Sequence, residues 1–241
     1  MAKTPDARSE SPRSDSPNKQ VNIYKGAGKS NRFLVAAFRA VTRLIARTYV
    51  RLSVEGLENV PGEGACVIIT NHISGLDPFV IGIPMDRTIY CLAKVELYQN
   101  ALLTWILNSL GFIPLDRDAT DTSAMRIVLK VLKDGHPIGI SPEGTRSPNG
   151  DMLPFTDGAT KLALHAQVPI LPVAVHGTRE LMPPGTYGFK PGKAYIKVGK
   201  LFDLSDSYGK PMTPELLKEN TAILEAKVSE LYEDIRQRPL K

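Results

Sequence analysis

A six-residue apolar run, Ala65-Cys66-Val67-Ile68-Ile69-Thr70, leads directly into Asn71-His72. The run reads as a buried strand. A histidine at the end of such a strand stands where a parallel α/β sheet places its catalytic groups. Five residues on comes a carboxylate, in Asn71-His72-Ile73-Ser74-Gly75-Leu76-Asp77. An imidazole with a carboxylate partner makes a general base near neutral pH. On a regular helix, five steps would carry His72 and Asp77 to opposite sides. They can meet if the chain turns, and Ser74-Gly75 permits a turn. A second reading fits the same residues: Asp77 caps a helix that opens at Pro78, and His72 is a satisfied polar residue at a strand end.

The alternation along the chain sets the fold class. Val50, Leu52 and Val54 alternate with polar residues, as a half-exposed strand does. Further strands are predicted near Thr88 to Ala93, Phe112 to Leu115, Ile138 to Ile140, Ile170 to His176 and Ala194 to Val198. Helices are predicted from Pro78, near Glu96 to Ser109, and over Ser123 to Lys133, Gly158 to Gln167 and Thr213 to Arg236. Strands alternating with helices of this length predict one α/β layered domain, residues 49–241, with a mostly parallel or mixed sheet.

Two segments precede that domain. Residues 1–29, rich in Ser, Pro, Lys and Asp without periodicity, predict a disordered basic and polar tail. Residues 30–48 predict a capped amphipathic helix. Arg32, Arg39, Arg43 and Arg47 fall on one face, and Leu34, Phe38, Val41 and Ile45 on the other. A cationic helix of this kind suits a membrane interface; a surface helix packed on its own domain with a solvated basic face is the alternative.

Composition narrows the partners. The 241 residues carry a net charge of +5, which favours an anionic membrane surface or a phosphorylated substrate. The aromatics are not interleaved with basic residues as base stacking requires, so no nucleic acid is expected. Cys66 and Cys91 lie in apolar runs as buried thiols, too few for a disulfide framework or a metal site. No apolar stretch reaches the roughly 18 residues that span a bilayer, and no signal-peptide pattern opens the chain. The expectation is peripheral or monotopic contact with the cytoplasmic face of the cell membrane.

Other strand ends carry chemistry too. Phe112 to Leu115 leads to Asp116-Arg117-Asp118, and Ile138 to Ile140 leads to Ser141-Pro142-Glu143-Gly144-Thr145-Arg146. Such loops converge at one sheet edge, where Arg117 and Arg146 can supply planar donors to a phosphate. Gly144 lets backbone approach a ligand, and Thr145 offers a hydroxyl. Taken singly, a turn at Pro142-Glu143-Gly144 and a solvated charge cluster at Asp116-Arg117-Asp118 explain the same residues.

Together, Asn71-His72 with Asp77, Gly111-Phe112-Ile113-Pro114-Leu115-Asp116-Arg117, Pro142-Glu143-Gly144-Thr145-Arg146 and Val168-Pro169-Ile170-Leu171-Pro172-Val173 resemble the four ordered blocks of the glycerolipid acyltransferase family. Within it they are most similar to the 1-acylglycerol-3-phosphate (lysophosphatidate) acyltransferases. The resemblance implies that His72 takes the proton of the acceptor hydroxyl and that Asp77 supports the imidazolium. It implies that Arg117, Glu143, Gly144, Thr145 and Arg146, with Lys94, hold the glycerophosphate. It implies an acyl-CoA or acyl carrier protein thioester as co-substrate, a membrane lipid as acceptor, and neither metal nor other cofactor. Two departures concern the acceptor: Ser141 stands where the family usually has Phe, and the stretch 155–159 lacks the usual lysines. The rivals are the same chemistry on another lysolipid or glycolipid, a non-catalytic lipid-binding module, and a metal-dependent phosphoesterase. His136, His165 and His176 sit in no metal-ligand spacing.

Overall fold

The computed structural model describes residues 23–116, 121–183, 185, 186, 188 and 190–240. Most of the expected tail lies outside them. Its described end is tied to the domain: Tyr24 donates to Asp121 Oδ2 at 2.7 Å, and Asn108 donates to the carbonyls of Ile23 and Lys25.

In chain order the elements are α1 (Arg32–Ile45), β1 (Leu52–Glu55), β2 (Val67–Thr70), α2 (Asp77–Gly82), β3 (Tyr90–Lys94), α3 (Ala101–Leu110) and β4 (Phe112–Leu115). They continue with α4 (Thr122–Lys133), β5 (Ile138–Ile140), α5 (Gly158–Ala166), β6 (Ile170–His176), α6 (Thr178–Leu181), β7 (Ala194–Val198) and α7 (Pro214–Arg236). The predicted helix near Glu96 to Ser109 starts later, at Ala101. Asn100 caps it by accepting from the Leu103 N–H at 2.9 Å, and a short 3-10 turn, Val95–Leu97, precedes it.

One seven-stranded sheet runs in the order β1-β7-β6-β2-β5-β3-β4. The five strands from β6 to β4 are parallel; β7 pairs with β6 in the opposite direction and is parallel to β1. The sheet is therefore mostly parallel with one antiparallel pairing, within the mostly parallel or mixed sheet expected. Two prolines sit where a missing N–H costs least. Pro114 is on edge strand β4, and Pro172 lies just beyond the last β6–β7 pair, Val173 with Val198.

Strand side chains alternate between two layers. Val67, Ile69, Ile138 and Ile170 face α4, α5 and α7, where Val128, Leu162, Leu224 and Val228 complete the core. Ile68, Leu171, Val173 and Val175 face the other way, onto Val80 and Ile81 of α2 and onto Met85. The two edges of the sheet are used differently. At the end where the parallel strands begin, Arg87 gathers the carbonyls of Pro61, Gly64 and Gly135 at 2.9, 2.7 and 2.9 Å. The other end, where β2, β3, β4, β5 and β6 stop, is left for loops.

Helix α1 begins as expected, with Asn31 accepting from the N–H groups of Phe33 and Leu34. Its orientation splits both expected faces: Leu34 and Ile45 are half-buried as expected, while Val41 is exposed and the arginines divide. Arg43 turns inward, donating to the Ile83 carbonyl at 3.0 Å and to Asp86 at 2.7 Å, and Arg39 is half-buried. The stripe left to solvent is apolar: Phe33 is 88% exposed, Val41 59% and Leu44 64%. Ala36, Ala37 and Ala40 lie between them, also exposed. Arg43 finds acceptors on the domain and Arg39 is half-buried beside it, so the helix packs through part of its basic face. Beneath it, Phe38 and Phe112 flank the Phe79 ring, with centroids 5.8 and 5.5 Å away.

Candidate active site

Strand β2 ends at Thr70, and the next residue sets the direction of the loop. Asn71 is fully buried, and its side-chain amide extends the β2–β6 ladder. It donates to the Val175 carbonyl at 2.9 Å and accepts from the Val175 N–H at 2.8 Å. The chain then folds back so that His72 Nδ1 lies 2.9 Å from Asp77 Oδ2. The five-residue spacing closes because residues 73–76 form a turn rather than a helix. Helix α2 is capped by Leu76, and Asp77 is its first residue, so the helix-cap reading of Asp77 is incorrect. The Asp77 carboxylate instead points back into the loop. Its Oδ2 also accepts from the N–H groups of Ile73 and Ser74 at 2.8 and 2.9 Å. Its Oδ1 accepts from the Thr178 hydroxyl at 2.6 Å. At 1% exposure the carboxylate needs these partners, because an unpaired buried charge is costly. With Nδ1 engaged, Nε2 is the ring nitrogen left for a ligand.

The loop after β5 holds the backbone of His72 from both sides. Ser147 N–H donates to the His72 carbonyl at 2.7 Å, and Glu143 Oε1 accepts from the His72 N–H at 3.0 Å. Glu143 is 5% exposed and sits behind the histidine rather than on the wall of the cleft in front of it. Gly144 closes the turn with φ of 70°, a conformation that favours glycine. Thr145 and Arg146 are exposed beyond it. Arg146 reaches back over the histidine loop: a methyl group on Gly75 would lie 3.9 Å from its Nη1. Lys94 is exposed at the end of β3, on the same edge of the sheet but outside the cleft lining. Arg117 lies outside the described residues.

In front of His72 and Asp77 opens a cleft of about 500 Å³. Gly144, Thr156 and Asp116 contribute to its polar rim. Its apolar lining comes from both sides of the sheet, with Ile68, Ile81 and Ile89 on the α2 side and Leu92, Ile140 and Ala159 on the other. A smaller pocket under α1 shares Pro78, Ile89 and Cys91 with it. Burial pushes the Cys91 thiol up to about 12 and Cys66 to about 11, so neither supplies a thiolate nucleophile at neutral pH. Among the described residues no group of three His, Cys, Asp or Glu side chains is placed to hold a metal ion. A polar mouth with a buttressed imidazole and an apolar interior suits deprotonation of a hydroxyl on an amphiphile. Thr178, Ser147 and Thr156 are the site-building residues that sequence reasoning missed. The only local signal for Thr178 is a Gly-Thr pair directly after strand β6.

Comparison with known proteins places this geometry among relatives. The family described as Acyltransferase matches residues 51–176. A 1-acyl-sn-glycerol-3-phosphate acyltransferase of Pseudomonas aeruginosa is 31% identical over 81% of this chain and 73% of its own length. The chloroplastic 1-acyl-sn-glycerol-3-phosphate acyltransferase BAT2 of Brassica napus is 29% identical over 58% of this chain, and the match spans 41% of that longer protein. The crystal structure of the 1-acyl-sn-glycerophosphate (LPA) acyltransferase PlsC from Thermotoga maritima superposes with a TM-score of 0.68 at 28% identity, covering 86% of this chain and 80% of that one.

Glu143 makes part of this site pH-sensitive. Burial, reinforced by the Asp77 and Glu225 carboxylates, pushes its carboxyl up from 4.5 to about 7, against the N–H groups of His72 and Leu153. Between those values the unfolded chain has released the proton and the folded chain has kept it. Its contribution to stability is therefore complete below pH 4.5 and is lost as pH rises through 7. Glu143→Gln has no proton to release. The Tm advantage of the wild type over this variant should shrink across that window and level off above it. A constant offset in melting curves from pH 4.5 to 8 would contradict the assignment.

Proposed function

The chain belongs to the acyltransferase family, and from that premise we propose that it transfers a fatty acyl group from a thioester donor to the free hydroxyl of 1-acylglycerol-3-phosphate, giving phosphatidate. The observation that carries this reading is the His72–Asp77 pair, 2.9 Å apart, at the mouth of a cleft with an apolar interior. His72 Nε2 takes the proton of the acceptor hydroxyl as its oxygen attacks the thioester carbonyl. Asp77 stabilises the imidazolium from the Nδ1 side. The tetrahedral intermediate collapses with loss of the thiolate, of CoA or of a carrier protein, which recovers the proton from His72. The thioester is already activated, so the reaction as written calls on no metal. Lys94, Arg117, Thr145 and Arg146 are read as the residues that receive the acceptor phosphate, with Gly144 admitting it close to the backbone. Glu143 is read as support for His72.

The acceptor is a lipid, so the protein must meet it in a membrane. No helix of the described residues is long and apolar enough to cross one. We read residues 30–48 as an interfacial segment that lies on the bilayer ahead of a catalytic domain at 49–241. Phe33, Val41 and Leu44 enter the acyl boundary, and the exposed Leu102 and Trp105 of α3, which packs beside α1, add to the same contact. Arg32 and Arg47, both exposed, flank the stripe for anionic headgroups. The basic helix expected from the sequence thus becomes an apolar anchor with basic flanks.

Three outcomes test this reading. His72→Ala should lower acyl transfer by about two to four orders of magnitude with the fold retained, the usual worth of general-base help. Turnover near wild type, followed by thiol release, would end the mechanism. Arg146→Ala should raise KM for a phosphorylated acceptor roughly tenfold or more and leave a phosphate-free acceptor little changed, since one charge-assisted bond is worth about 1.5 to 3 kcal/mol. Equal losses on both acceptors would assign the loop to shape rather than charge. A Phe33→Ser, Val41→Ser, Leu44→Ser triple variant should leave phosphatidylcholine–phosphatidylglycerol vesicles in sedimentation, by more than about tenfold, because each buried side chain contributes about 1.5 to 3 kcal/mol. Wild-type binding should largely survive high salt, since apolar burial is not screened. Release by salt alone would return the anchor to the arginines.

A further inference from the structure

The Asp77 carboxylate receives four hydrogen bonds, and three of them come from residues 72–74 of its own loop. Those three all end on Oδ2 and move with the loop. The fourth comes from beyond the loop: Thr178, at the N-terminus of α6, donates to Oδ1 at 2.6 Å. A carboxylate turns readily about its terminal torsion, which has broad wells. With Oδ1 unheld, no hydrogen bond from the described residues outside the loop would keep Oδ2 aimed at His72 Nδ1.

We propose that Thr178 is a positioning residue for acyl transfer, whose hydroxyl fixes the Asp77 carboxylate so that it can orient His72 and stabilise the imidazolium. The inference rests on the His72 general-base reading above. An ionised carboxylate can only accept, so the single hydroxyl proton is committed to it. A length of 2.6 Å is that of a charge-assisted O–H···O bond. Thr178 is 0% exposed and stands outside the cleft lining, so it does not touch a substrate. Its place is built by the residue before it. Gly177 has φ of 88°, and a Cβ there would lie 2.5 Å from the Lys193 carbonyl and 2.7 Å from Leu240 Cδ2. Only glycine lets the chain turn at the end of β6 and bring the next hydroxyl beneath the histidine loop.

The test separates hydroxyl from packing. Thr178→Val keeps the shape and removes the donor; Thr178→Ser keeps the donor and removes a buried methyl. With acyl-CoA and lysophosphatidate, Thr178→Val should lower kcat roughly ten- to a hundredfold, the worth of one hydrogen bond to a charge. KM for both substrates should stay within about twofold, because the bond acts on the transition state. Thr178→Ser should hold kcat within about threefold while its Tm falls for the lost methyl. In an Asp77→Asn background, Thr178→Val should cost nothing further, as expected of residues acting as a unit. Wild-type kcat in Thr178→Val, equal losses in the Val and Ser variants, or full additivity with Asp77→Asn would each overturn the proposal. If the Val variant does not fold, Thr178→Ala compared with Thr178→Ser makes the same distinction. Should His72→Ala retain turnover, the base reading has failed; should His72→Ala be inactive and Thr178→Val fully active, only this inference falls.

Discussion

Everything at the functional edge follows from burying one carboxylate. Asp77 is almost wholly withdrawn from water, and a buried charge persists only where donors replace the lost solvent. Two of its donors are backbone N–H groups, available only because residues 73–76 leave helical geometry. The third is the His72 imidazole and the fourth the Thr178 hydroxyl. Satisfying the carboxylate and presenting the histidine are therefore one structural problem. The solution gives His72 a defined ring orientation without a rigid element of its own.

That loop is then fastened to its neighbours through backbone rather than through packing. Asn71 splices it to β6, and Ser147 and Glu143 hold the two polar groups of the His72 peptide. Each fastener lies at the end of one of the three central strands, β6, β2 and β5, so the sheet order itself brings them together. The polar network lies behind the histidine and the apolar cleft in front of it. A proton can be moved at the boundary between the two. Glu143 belongs to the first region, where burial pushes its carboxyl up to about 7 against the N–H groups that hold it, and it contacts the histidine only through backbone.

The outer layer obeys the same accounting of polar groups. Arg43 is drawn inward by a free carbonyl at Ile83 and a carboxylate at Asp86. With Arg43 bound there, Phe33, Val41, Leu44 and the alanines between them face outward, beside the exposed Arg32 and Arg47. Exposure of Phe33, Val41 and Leu44 on a stable helix is unfavourable in water and favourable at a lipid interface. Which residues are exposed follows in part from where Arg43 found its partners, which no helical wheel contains.

Local pattern alone determined most of the element order, with short α6 missed, the layered α/β class and the clustering of chemistry at strand ends. Apolar runs such as Val67 to Thr70 and Ile170 to Val175, and caps such as Asn31 and Thr213, are short-range physics and can be read directly. The His72–Asp77 spacing likewise carried its own turn signal in Ser74-Gly75. Tertiary structure decided what lies at long range: that β7 turns back antiparallel beside β6, that Glu143 faces the back of His72, and that Thr178 meets Asp77 from 101 residues away. It also decided which face of α1 meets solvent. Periodicity fixes that a helix has two faces, but only the acceptors on the neighbouring surface determine which of them is buried.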